Sequence, residues 1–164
     1  MMWDELFERY DKNTQAQMQA VFTSLFVLQN RMQTAGDKLQ RKISMKQWLL
    51  LAMVEACPEP KTLTHVATLM GCSRQNVKKL ALTLEAKGFV KLEQGSRHSL
   101  QVVLTDKAAA YNEQISPRHA QALRLIFADF SSEEVDQLFG LYRKLYAGIE
   151  RVENYAREIQ HDEI

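Results

Sequence analysis

Apolar side chains recur at helical intervals through most of the chain, and the places where that rhythm stops mark out the elements. Met18, Val21, Phe22, Leu25, Phe26, Leu28 and Met32 share one side of a helix expected from Trp3 to Met32, with Ala35-Gly36 as its end. A second helix is expected from Ser44, a suitable N-cap, through Met45, Trp48, Leu49, Leu51, Ala52 and Val54 to the stops at Pro58 and Pro60. Thr62 opens a short third helix, LTHVATLM, which Gly71 ends in the left-handed conformation glycine tolerates. Cys72-Ser73 then starts a fourth helix with Ser73 as its cap. The pattern next changes to period two: Phe89 to Gln94 reads as a strand, Gly95-Ser96 as a turn and Ser99 to Leu104 as the returning strand. Two helices joined by a tight glycine turn and followed at once by a hairpin make a winged helix-turn-helix. The fold class expected is therefore mainly α with a small β-hairpin wing.

In the last segment Val135, Leu138, Tyr142, Leu145, Ile149, Val152, Ala156 and Ile159 alternate spacings of three and four, a heptad stripe. Phe139, Leu141, Tyr146 and Tyr155 widen it beyond a two-stranded seam. So wide a face suits packing against several helices, from the first helix of the same chain and from a partner's terminal helices; an intrachain bundle with the first helix alone is the other reading.

The helix after Ser73 carries the chemistry. On a helical wheel Val77, Leu80, Ala81 and Leu84 share one face, while Gln75, Lys79, Leu82 and Ala86 lie opposite, flanked by Lys78 and Thr83; Arg74 and Asn76 occupy the first turn between them. Amide side chains pair with adenine, basic groups reach guanine or phosphate, and an apolar Leu82 meets a thymine methyl or a sugar, so this face suits a DNA major groove. An ordinary solvated face accounts for the lysines but gives no reason for Leu82. Charge sharpens the picture. The 164 residues carry a formal net charge of only +1, yet Ser73 to His98 holds six basic residues (Arg74, Lys78, Lys79, Lys87, Lys91, Arg97) against Glu85 and Glu93. Ser131 to Ile164 holds eight acids against four bases. Positive charge is thus concentrated where nucleic acid would bind.

Met45 to Thr105 resembles the winged-helix core of the MarR family of bacterial transcriptional regulators. The resemblance is carried by ISMKQWLLLAMV, by LTHVATLMGCSRQNVKKLALTLEAKGFVKL and by VVLT, with Leu84-Glu85 and Gly88-Phe89-Val90 matching the family's habit at the end of the recognition helix. It implies residues 1–36 as an N-terminal dimerisation helix, 37–106 as the DNA-binding domain and 107–164 as C-terminal dimerisation helices. It further implies a homodimer that binds double-stranded DNA at a pseudo-palindromic operator, usually as a repressor, and that releases it when a small ligand or oxidant arrives. The DNA-binding residues are then Ser73, Arg74, Gln75, Asn76, Lys78, Lys79, Arg97 and His98. The wing departs from the family pattern: Ser96, Arg97 and His98 stand where Asp-Arg-Arg is common, and Ala108 where glycine is usual. Arg97 still offers a cation to the minor groove or its phosphates, and His98 reads more simply as a solvated turn histidine than as the source of a weak pH dependence. The family's crevice for a small aromatic or apolar effector would be lined here by Phe22, Phe26 and Trp48, which read more simply as hydrophobic core.

Other functions find little support in the residues. No paired carboxylates, phosphate-cradling glycine loop, metal cluster or nucleophile motif is apparent, so no enzyme and no cofactor are expected. Cys57 and Cys72 read as reduced, partly buried thiols, although Cys72 before a helix N-terminus leaves a redox-responsive regulator open. A winged helix that binds protein rather than DNA is the remaining alternative, disfavoured by the basic motif. The acidic, amphipathic start MMWDELFERYDK does not read as a signal peptide, and the apolar run Trp48 to Val54 is too short for a bilayer, so no membrane association and a cytoplasmic location are expected.

Overall fold

The computed structural model describes residues 2–11, 13–96 and 99–162. The elements are α1 (Met2–Tyr10), α2 (Thr14–Leu39), α3 (Met45–Ala56), α4 (Leu63–Met70), α5 (Arg74–Ala86), β1 (Val90–Gln94), β2 (Leu100–Leu104), α6 (Asp106–Ile126) and α7 (Ser132–Asp162). The chain divides into two compact units, Met1–Ser116 and Pro117–Ile164, with α6 running through the boundary and Pro117 inside it.

Side chains and glycines at the helix ends account for most of these borders. The Gln47 amide N–H donates to Ser44 Oγ at 3.2 Å while the Ser44 N–H donates to Gln47 Oε1 at 3.1 Å, a reciprocal capping box at the head of α3. The Thr62 and Ser73 hydroxyls accept from the His65 and Asn76 amides, each at 3.2 Å, and start α4 and α5 in the same way. Between these two helices Gly71 sits at φ +60°, and the Gly71 and Cys72 amides donate to the Thr68 and Ala67 carbonyls at the end of α4.

The first helix differs from expectation. In place of one helix there are two: α1 ends at Tyr10, Asn13 caps α2 by accepting from the Ala16 amide, and α2 then runs through Ala35-Gly36 to Leu39. Gly36 is buried inside the helix, and a Cβ there would lie 2.6 Å from Met45 Sδ. Its role is to let α2 approach the start of α3, so a glycine that resembles a terminator is a packing residue.

The core of the first unit is built from Leu50, Leu51 and Val54 of α3, Leu63 and Val66 of α4, Val77, Ala81 and Leu84 of α5, and Phe89, Val90 and Val102 of the hairpin, closed by Ala108, Tyr111 and Ile115 of α6. Ala108, at the position where the resembling family has glycine, is buried, which explains why a small residue is kept there. β1 and β2 pair antiparallel with Val90 opposite Leu104 and Gln94 opposite Leu100, and an isolated antiparallel bridge joins Thr62 to Gln101.

In the second unit α7 begins with another reciprocal cap: Ser131 N–H donates to Glu134 Oε2 and Glu134 N–H to Ser131 Oγ. Its own backbone amide and the Ser131 and Ser132 hydroxyls hold the Glu133 carboxyl below the usual carboxylate range, the sign expected at a helix N-terminus. None of the described side chains of α7 is buried. On α2, Phe22 and Phe26 stack edge to face at 5.3 Å but remain 59% and 58% exposed, so in the single chain they are not core. No helix of the described residues is long and apolar enough to cross a membrane.

The Gly71 turn makes the fold testable at one atom. A Cβ at Gly71 would meet nothing within 4 Å, so Gly71→Ala introduces backbone strain without a clash. The expected cost is about 1–2 kcal/mol in urea denaturation, with Gly71→Asn costing less because asparagine visits the left-handed region more readily.

Candidate nucleic-acid interface

The α5 helix is held by one face and free on the other. Val77, Ala81 and Leu84 have no exposed surface, and Leu80 packs against the same core. On the opposite side Arg74, Gln75, Asn76, Lys78 and Lys79 are all exposed, and among the described residues none of their side chains makes a hydrogen bond or ion pair. Ser73 is also exposed, but its hydroxyl is occupied in capping. Leu82 continues the outer stripe at 47% exposure, while the Thr83 hydroxyl turns back to the Lys79 carbonyl at 3.0 Å and is withdrawn from that surface. The result is a helix whose N-terminal half presents amides and cations with nothing to satisfy them internally.

The C-terminal end of α5 is tied down instead. Lys87 Nζ donates to the Lys42 carbonyl at 3.1 Å and to Gln47 Oε1 at 3.2 Å, the same oxygen that caps α3. Lys107 Nζ donates to the Lys87 carbonyl at 2.6 Å and lies 5.1 Å from the Phe89 ring centroid. Phe89 packs edge to face on Tyr111, whose hydroxyl donates to the buried Gln40 Oε1 at 2.6 Å. Two ammonium groups therefore sit at the negative end of the helix, where the macrodipole favours them. Lys87, a cation like any other in the sequence, is a structural strut; Lys91 on β1 is exposed.

The hairpin starts three residues beyond α5, and its tip is closed by the Gly95 amide donating to the Ser99 carbonyl at 2.7 Å and by the Ser99 hydroxyl donating to the Ser96 carbonyl. Arg97 and His98, expected to contact DNA, lie outside the described residues. Midway along its length the hairpin is bonded on both outer edges: the Val102 amide to the Lys61 carbonyl at 3.0 Å and the Leu92 amide to Glu85 Oε1 at 2.7 Å. Glu85 has no individual signal in the sequence beyond the Leu84-Glu85 pair, because its partner is a backbone amide.

The three aromatic residues considered for an effector separate. Trp48 is half-buried and, with Leu51, Ala52, Ala108 and Tyr111, walls a recess of about 240 Å³ between α3 and α6 whose rim carries Glu55 and Glu113. Phe22 and Phe26 are not among its walls. Cys57 is buried and Cys72 half-buried against the core, and both are free thiols.

The fold recurs in known proteins. The chain superposes on the crystal structure of a MarR/EmrR family transcriptional regulator from Acinetobacter sp. ADP1 with a TM-score of 0.73 at 17% identity, covering 81% of this chain and 96% of that one. It superposes on S. aureus MepR in its DNA complex with a TM-score of 0.67 at 18% identity, covering 78% and 96%. The chain has the MarR-family fold. Two curated proteins also align with it. Over 92 residues, 55% of this chain, it is 34% identical to the uncharacterised HTH-type transcriptional regulator YkoM of Bacillus subtilis, covering 58% of that protein. Over the same length it is 26% identical to the transcriptional repressor MprA of Escherichia coli, covering 52% of it. The chain thus spans little more than half the length of the curated relatives it matches. No protein-family model matches it. In this fold α5 is the second helix of the helix-turn-helix and the β1–β2 hairpin is the wing.

The strut assignment of Lys87 separates it from its basic neighbours. Lys87→Ala removes two hydrogen bonds from a charged donor and is expected to lower stability by about 1 kcal/mol, whereas Lys79→Ala should stay within about 0.5 kcal/mol of the parent. Chemical denaturation of the two variants side by side measures the difference; equal stabilities would return Lys87 to the pool of free cations.

Proposed function

We propose that the protein is a DNA-binding transcriptional regulator that grips a pseudo-palindromic operator as a homodimer, acting as a repressor. The observation that carries this reading is the α5 surface: Arg74, Gln75, Asn76, Lys78 and Lys79 are exposed and unengaged on a helix whose other face packs into the core. Side chains carried on a firmly packed helix yet left without partners suit a ligand with donors, acceptors and negative charge. Gln75 and Lys79 point directly away from the core and are assigned to base edges; Arg74 and the cations of the wing, Lys91 and Arg97, are assigned to the backbone. The relative named a repressor supports the sign of regulation, and the DNA complex of MepR supports the partner.

The dimer reading rests on uncovered apolar surface. Val135, Leu138, Tyr142, Leu145, Ile149, Val152 and Ile159 of α7 are all exposed in the single chain, as are Met18, Val21, Phe22, Phe26 and Met32 of α2. Surfaces of that extent mark an interface, and a second copy supplies both the cover and the two-fold symmetry that two half-sites require. Phe22 and Phe26 then belong to that interface or its margin, and a small aromatic or apolar effector is assigned to the recess beside Trp48.

Selection of bound sequences from a random duplex pool tests the central claim: a two-fold symmetric consensus is expected, and failure to enrich any sequence overturns it in favour of a protein-binding winged helix. On the selected site Gln75→Ala should relax preference at one base pair in each half-site by about 1–3 kcal/mol. Arg74→Ala or Lys91→Ala should flatten the dependence of log affinity on log salt by about one per subunit, and Lys87→Ala should leave that slope unchanged. For assembly, Leu145→Asp places a charge in the α7 stripe and should convert a dimer into monomer or unfolded chain by sedimentation; a parent protein that sediments as a monomer at micromolar concentration would refute the dimer.

A further inference from the structure

We propose that Glu85 is the positioning residue that sets the direction of the wing relative to the recognition helix, an inference that rests on the DNA-binding reading. In an antiparallel hairpin, residue pairs alternate between bonding one another and turning their amides outward. Leu92 and Val102 are opposite each other, and both amides point out of the hairpin: Val102 N–H reaches the Lys61 carbonyl ahead of α4, and Leu92 N–H reaches the Glu85 carboxylate on the last turn of α5. The wing is thus fastened along one edge to the segment entering the helix-turn-helix and along the other to the recognition helix itself. Beside the shared core of Phe89, Val90 and Val102, the second fastening is the 2.7 Å hydrogen bond that the half-buried Glu85 carboxylate accepts from the Leu92 amide.

Two unfavourable placements show that this carboxylate is present for that bond. Glu85 lies in the last turn of α5, where the helix dipole disfavours negative charge. It also lies within the basic segment that is assigned to phosphates, where an acid opposes binding. The bond matters because it acts through a lever. At about 3.3 Å per strand residue, Ser96 lies roughly 13 Å beyond Leu92, so a tilt of about 10° about Leu92 moves the outer wing by about 2 Å. That displacement exceeds the distance tolerance of a hydrogen bond, so a DNA contact made by the outer wing would be lost.

Glutamine keeps the accepting oxygen at the same reach and removes the charge; alanine removes both; aspartate keeps the charge and shortens the reach. If Glu85 acted only through its charge, Glu85→Gln and Glu85→Ala would tighten DNA binding equally, and Glu85→Asp would change nothing. If it positions the wing, Glu85→Gln binds as tightly as the parent or more so. Glu85→Ala and Glu85→Asp should each lose about tenfold and flatten the salt slope by about one per subunit, with the ranking of single-base variants of the selected duplex preserved. The Asp and Gln variants carry the comparison should the Ala variant fold poorly. Residual dipolar couplings of the hairpin amides relative to those of α5, with hydrogen exchange of the Leu92 amide, provide a readout without DNA: parent and Gln variant should agree, and the Asp and Ala variants should diverge. Unchanged hairpin orientation and Leu92 protection in those two variants would overturn the proposal. Absence of any selected duplex, with the couplings still diverging, would remove the DNA reading and leave the wing-positioning role standing.

Discussion

Everything in the winged unit depends on the burial of one face of α5. Val77, Ala81 and Leu84 have no exposed surface, and around them α3, α4, the hairpin and the first half of α6 converge on a common core. Once that face is committed, the helical period leaves no freedom for the other: Gln75, Lys79 and Leu82 must point outward because they lie half a turn from residues that cannot leave the core. The orientation of the polar surface is therefore a by-product of apolar packing. The caps then fix where the helix begins and the lysines fix where it ends, so its axial position is set as firmly as its rotation.

A second constraint acts through what the single chain leaves uncovered. The apolar stripes of α2 and α7 hold as much hydrophobic character as a core but contribute almost none of the burial. On the proposed reading that burial is deferred to association, which links the stability of the terminal helices to assembly. The acidic balance of the last segment and the basic balance of the motif then have separate consequences, one keeping the terminal helices away from polyanions and the other drawing the winged unit towards them.

The legible parts of the molecule were those governed by neighbours in sequence. Ser44, Thr62, Gly71 and Ser73 announce the ends of α3, α4 and α5 because a cap acts on residues three or four positions away, and the buried face of α5 follows from spacing alone. The illegible parts depend on distant partners. Gly36 has the signature of a helix stop and is instead a contact with Met45; Lys87 has the signature of a phosphate-seeking cation and instead bonds the Lys42 carbonyl and the Gln47 amide oxygen. Phe22 and Phe26 looked like core because the hydrophobic pattern records that a side chain avoids water without recording which molecule covers it. Glu85 was visible only as part of a motif, since an acceptor for a backbone amide leaves no complementary residue to find.

The clamp at the end of α5 also has a meaning for the order in which the chain folds. Capping bonds and the hairpin join residues close in sequence and form early, because short loops cost little entropy to close. The bonds from Lys87 to Lys42 and from Tyr111 to Gln40 span 45 and 71 residues. Both close long loops, and each can do so only after the elements between its ends have assembled: α3, α4 and α5 for the first, and the hairpin as well for the second. The two bonds differ in shelter: the exposed Lys87 ammonium exchanges its partners with water, while the Tyr111–Gln40 bond lies buried beneath Phe89 and opens only when the core around it does.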